Sequence, residues 1–188
     1  MDTLPSVRDR IIETSTRLFY QEGYQATGIN RIIEEAAIAK SSLYQHFRSK
    51  DDLLIEYISI STKKWFDGLQ KLTGDNKAPE KNLLLLFDYR KKIAIENDFK
   101  GCAFIRLAYE LPNLQGKAAE LIRQHKKTVK LFISKQVAEL RPEIDMERQT
   151  ELTNMIYTLY EGCGIESSLQ HSVKPIEITR TIVSKLIY

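Results

Sequence analysis

Apolar residues recur every three or four positions along most of the chain, the spacing that gathers them on one face of an α-helix. Ile11, Ser15, Leu18 and Phe19 form the first such stripe, predicting a helix over about Ser6–Gln21 with Ser6 as its N-cap and Asp9 at the third helical position. Gly23 then offers a left-handed stop. A short helix carrying Ile29, Ile32, Ile33 and Ala36 opens after Thr27. After Ala37-Ile38-Ala39 another covers Lys40 to about Phe47. Ser49-Lys50-Asp51-Asp52 caps a long helix with the stripe Leu54, Ile58, Ser61, Trp65 and Leu69, and the linker Thr73–Pro79 ends it. Helices are expected over about Glu80–Asn97, from Gly101-Cys102 to Leu111, over Leu114–Leu140, over Asp145–His171, and from Pro175 to the end. Pro112-Asn113 and Pro142 are the breaks between them. No alternating run of β-branched and aromatic residues intervenes. The expected fold is all-α: an N-terminal unit of three short helices, 1–50, and a larger bundle, 51–188.

Composition narrows the class only slightly. Lys and Arg number 28 against 25 Asp and Glu, and the resulting +3 argues for nucleic acid only if it is concentrated somewhere. Hydrophobic residues at 43% and charged residues at 28% fit a soluble globular protein. The longest apolar run, Leu83–Phe87, is far short of the roughly 20 residues that span a bilayer. Met1–Ser6 carries acid and proline rather than a basic and then apolar leader, and Cys102 and Cys163 offer no disulfide framework. A cytoplasmic protein without membrane partners is expected.

The informative stretch runs from Thr27 to Lys50, with its basic residues clustered between Lys40 and Lys50. Two short helices joined by a tight turn, with Ile32, Ala36, Ile38 and Leu43 facing inward, make the helix-turn-helix pattern whose second helix enters the DNA major groove. From Lys40 to Lys50 the chain has Lys40, Arg48 and Lys50 with Tyr44 and His46, and no acid. That is a local positive surface for double-stranded DNA.

These residues resemble the TetR family of bacterial transcriptional regulators. The resemblance rests on Leu18-Phe19-x-x-x-Gly23-Tyr24, Ala26-Thr27 and Lys40-x-x-Leu43-Tyr44-x-His46-Phe47-x-Ser49-Lys50-x-x-Leu53, and covers about the first third of the chain. It implies a homodimeric repressor that binds a palindromic operator and is released by a small-molecule effector. Two residues depart from the family pattern: Ala37 stands where Gly is frequent in the turn, and Ala39 where Ser often caps the second helix. Lys40, Ser41, Ser42 and Gln45 fall on the first turns of the recognition helix, where Gln45 suits adenine and Lys40 guanine or a phosphate. Tyr44 and His46 are expected on phosphates, as are Thr27 and Lys50 at flanking helix N-termini, with Arg31 a further candidate. The alternatives are a packing aromatic for Tyr44 and a cap for Thr27.

The resemblance further implies a ligand cavity and a dimer interface in the C-terminal bundle. Trp65, Phe66, Phe87, Phe104, Tyr109, Phe132, Tyr157 and Tyr160 suit either such a cavity or an ordinary core. Arg90 shares the stripe of Leu83, Phe87 and Ala94, so it either meets an anionic ligand or pairs internally or at the surface. His125, between Arg123 and Lys126-Lys127, reads as part of a solvated basic face. Gly162-Cys163-Gly164 within a helix suggests close approach at the dimer interface, joined by Ile178, Ile182 and Leu186. Cys102 suits a small buried residue or a redox-sensitive thiol. No catalytic constellation, metal set or cofactor-binding loop is visible, so an enzyme is not expected.

Overall fold

The computed structural model describes residues 5–74, 78–111 and 115–188. Most of the Met1–Ser6 segment, the middle of the 73–79 linker, the Pro112-Asn113 break and the expected helix start at Leu114 lie outside the described residues. Nine helices and no strand lie among the described residues: α1 (Val7–Gln21), α2 (Ile29–Glu35), α3 (Lys40–His46), α4 (Lys50–Thr73), α5 (Pro79–Glu96), α6 (Ala103–Glu110), α7 (Gly116–Leu140), α8 (Met146–Leu169) and α9 (Lys174–Leu186).

The cap signals act as local chemistry requires. Ser6 and Asp9 form a reciprocal capping box at α1, and Asp145 accepts from the Arg148 amide at 2.8 Å to start α8. Ser49 and Asp52 exchange the same pair of bonds at α4, each 3.1 Å. Proline stands in the first turn of α5 and of α9.

The chain groups into two compact units, to both of which α4 and α7 contribute. The first reaches beyond residues 1–50, taking in the chain to Lys63 and the segment Ala103–Arg123. Its core is Ile11, Leu18, Ile32, Leu43, Leu53, Leu54 and Ile58, with Phe19 edge-on to Tyr24 at 5.2 Å and to Tyr57 at 5.9 Å. Here α6 attaches to the end of α1: Arg106 Nη1 donates to the Tyr20 carbonyl at 2.8 Å, and the Gln25 amide donates to Glu110 Oε2 at 2.8 Å. The Gln25 side chain returns a bond to the Glu110 carbonyl at 3.0 Å.

The second unit packs α5, α8 and α9 around Leu83, Leu86, Phe87, Val129, Ile133, Ile156, Tyr160 and Val183. A buried hydrogen bond of 2.9 Å from Asn82 to Gln136 sits within it. His125 is 3% exposed, which corrects its placing on a solvated face. It shares a helical stripe with Ile122 and Val129, and packs against Trp65 and Phe66 at 5.3 Å each. Burial, then Lys126 and Arg90, hold its pKa down at about 3, so it stays neutral near pH 7.

Candidate functional site

The turn before α3 carries Ala37 at φ 51°, the left-handed conformation that the family's glycine adopts freely. Arg10 Nη1 donates to the Ala37 carbonyl at 3.3 Å, tying this turn to α1. Ala39 is the N-cap of α3 and makes no side-chain cap bond, so α3 starts without the hydroxyl a Ser would bring. Its register is fixed from inside: Leu43 and Phe47 are buried, and the Arg8 guanidinium lies 5.5 Å from the Phe47 ring.

That anchoring turns the remaining side chains outward. Lys40, Ser41, Gln45, His46 and Arg48 are exposed and Ser42 is half-buried. Tyr44 is 46% exposed, against the reading of it as a packing aromatic. Lys50 is half-buried with its ammonium 4.2 Å from the centre of the Tyr24 ring, and burial lowers its pKa below the usual lysine value. Tyr24 donates to Asp51, which ties this platform to the start of α4.

Two expected contact residues are placed differently. Thr27 is 0% exposed and its hydroxyl donates to the Gly23 carbonyl at 2.7 Å. A buried hydroxyl committed to the backbone four residues earlier cannot reach a phosphate, so Thr27 is corrected to a structural role. Arg31 is exposed but pairs with Glu35 and lies 3.8 Å from Glu22, so its charge is already opposed.

In the second unit the structure brings Trp65, Phe66, Arg90, Tyr157 and Tyr160 into one neighbourhood with His125. Phe87 is fully buried and edge-on to Tyr160 at 5.6 Å, which makes it core. Phe104 belongs to the first unit. Arg90 pairs internally, with Glu161 on α8 as its acid and Lys126 on α7 sharing that acid. No local spacing marks Glu161 or Lys126, because 35 residues separate them.

Within Gly162-Cys163-Gly164 the three residues do different things. Cys163 is buried and its thiol donates to the Tyr160 carbonyl at 3.2 Å. A Cβ on Gly164 would sit 1.8 Å from Arg90 Nη1, so this glycine makes room for the guanidinium. Gly162 faces open space. Leu186 packs against the core, whereas Ile178 and Ile182 are exposed. Sequence reasoning missed Met155, Ile165 and Leu169, exposed on α8 in heptad-like register with Gly162. The seven- and three-residue steps were the available signal.

Residues 11–57 match the family described as bacterial regulatory proteins, tetR family. The HTH-type transcriptional regulator YxaF of Bacillus subtilis is 30% identical over 178 residues, covering 89% of this chain and 87% of YxaF. A TetR-family transcriptional regulator from Streptomyces coelicolor, SCO4454, has a similar fold, with a TM-score of 0.80 at 23% identity over 96% of this chain and 92% of that one. A TetR transcriptional regulator from Legionella pneumophila gives 0.81 at 20% identity over 98% of both chains.

Proposed function

The chain belongs to the TetR family of bacterial regulatory proteins and is a helix-turn-helix transcriptional regulator, and on that premise we propose a homodimeric repressor that reads a palindromic operator through α3 and is released by a small molecule bound in the second unit. The observation that carries this reading is the acid-free stretch from Lys40 to Lys50, most of its polar side chains exposed, beginning on α3 locked from behind by Leu43 and Phe47. Lys40, Ser41, Ser42 and Gln45 address base edges, while Tyr44, His46 and Lys50 address phosphates and set the register.

The apolar stripe Met155-Gly162-Ile165-Leu169 on α8, with Ile178 and Ile182 on α9, favours a two-fold partner. Two copies of α3, about one helical turn of DNA apart or somewhat more, then read the two half-sites. The effector is held among Trp65, Phe66, Arg90, Tyr157 and Tyr160 and disfavours the spacing of the two heads that fits the operator. The long α4 is the lever. By linkage, operator DNA weakens effector binding by the same factor.

Light scattering on the full chain and selection of bound fragments from random DNA test the proposal together. A dimer and a palindromic consensus are expected. A monomer at micromolar concentration, or a consensus without two-fold symmetry, contradicts it. Operator release in a small-molecule screen then tests the effector step, and a screen that yields binders but no release removes that step.

A further inference from the structure

Arg90 on α5 is held inside the second unit with 12% of its side chain exposed. Its guanidinium carbon stacks 3.6 Å from the centre of the Tyr160 ring, and α8 presents Gly164 where any side chain would strike Nη1. A charge taken out of water this far is expected to meet a carboxylate in the paired, fork-to-fork geometry. It does not: the Glu161 carboxylate comes only to 3.7 Å of Nη2, beyond hydrogen-bond reach. Arg90 Nε and Glu161 Oε1 are both buried without a hydrogen-bond partner.

The reason is that Glu161 is shared. Its other oxygen, Oε2, accepts from Lys126 Nζ at 2.7 Å. Lys126 also reaches Cys102 Sγ at 3.5 Å, and a further cation, Lys130, lies 5.8 Å from the Tyr157 ring. Two cations therefore draw on one carboxylate, with the neighbouring His125 neutral. The surplus is positive, and Arg90 Nε is a buried donor left without an acceptor, beside the Nη2 that Glu161 approaches only to 3.7 Å. A cationic guest would meet Arg90 and Lys126 with their shared acid already committed. A neutral guest would leave the guanidinium edge unfilled. The neighbouring side chains are aromatic: the Tyr160 face lies against Arg90, Tyr157 is within electrostatic reach of it, and the Trp65–Phe66 pair, 4.8 Å apart, packs on the same core.

We infer that the effector is an organic anion, an aromatic carboxylate in its simplest form, which takes the Nε–Nη2 edge of Arg90 bidentately while Lys126 retains Glu161. This rests on the proposed effector site and adds its chemistry. It also gives Gly164 a purpose, since the guanidinium can present that edge only while lying against a bare stretch of α8.

The test uses the full chain and three probes of matched shape: 1-naphthoate, 1-naphthamide and a naphthylmethyl-trimethylammonium cation. Calorimetry gives affinity, and fluorescence of Trp65, the chain's single tryptophan, reports the site. Naphthoate is expected to bind at least tenfold more tightly than the amide, and the cation least. Arg90→Gln is expected to weaken naphthoate by about thirtyfold or more, the low end for truncating one partner of a buried charge pair. Glu161→Gln, which removes the competing carboxylate, is expected to tighten it several-fold, and it keeps the test alive if Arg90→Gln fails to fold. Equal affinity for naphthoate and amide, no carboxylate binding at millimolar concentration, or indifference to Glu161→Gln overturns the assignment. If naphthoate binds as expected but operator stays bound, the anion site stands and release by effector falls. If the amide or the cation releases operator while naphthoate does not bind, release stands and the anion site falls.

Discussion

Thr27 and Tyr44 both bring a hydroxyl to the head, and burial assigns them opposite work. The Thr27 hydroxyl is sealed against the Gly23 carbonyl, whereas Tyr44 is exposed. Thr27→Val is therefore expected to lower stability by about 1 kcal/mol and leave the affinity of folded protein for DNA unchanged. Tyr44→Phe should do the reverse, which urea titration and anisotropy on both variants will show. His125 supplies a pH effect. Its folded pKa of about 3 lies below the ordinary 6.5, so the unfolded chain binds the proton more readily between those values. Stability is thus complete above pH 6.5 and declines as pH falls toward 3, by on the order of 2 kcal/mol at pH 5. Melting curves at pH 7 and 5 should show this loss in the parent and not in His125→Phe. At this scale Ala37 and Ala39 were legible, because a turn and a cap make local demands on backbone and side chain. Thr27 was not, since a cap, a phosphate ligand and a backbone-bonded hydroxyl share one position. The basic neighbours of His125 hid the Ile122–His125–Val129 stripe.

Helices α1 to α3 could be read almost residue by residue, because Ser6, Gly23, Ala37 and the Ser49–Asp52 pair punctuate them locally. The bonds from α6 to Tyr20 and Gln25 had no sequence signal, as partners more than 80 residues apart leave no periodic trace. The two glycines of α8 show the same limit. Composition suggested one shared purpose, while the structure gives Gly164 to Arg90 and leaves Gly162 in the open. Gly164→Ala is expected to destabilise: overpacking against the guanidinium costs about 1–3 kcal/mol, only partly offset by the gain of about 1 kcal/mol in helix propensity. Gly162→Ala should gain that propensity within the protomer and, on the proposed interface, weaken the dimer. Chemical denaturation paired with light scattering separates the two effects.

For the whole molecule, a net charge of +3 says little about DNA, because acids elsewhere balance the row from Lys40 to Lys50. The proposed pairing of heads is equally hidden in composition and would depend on the exposed stripe of α8 and α9. Leu169→Glu combined with Ile178→Glu is expected to yield folded monomers that lose tight operator binding, since each would hold one half-site. Light scattering and anisotropy on that variant check both halves of the expectation. The central claim is that α3 is the reading helix. Anisotropy of a selected operator fragment across a salt series tests it most directly, comparing the parent with Lys40→Ala and Tyr44→Phe. The parent should lose affinity with a log–log slope of about −0.9 per phosphate contacted. Lys40→Ala should weaken binding, and Tyr44→Phe should weaken it with an unchanged slope. Both variants binding as tightly as the parent at every salt concentration would contradict the account.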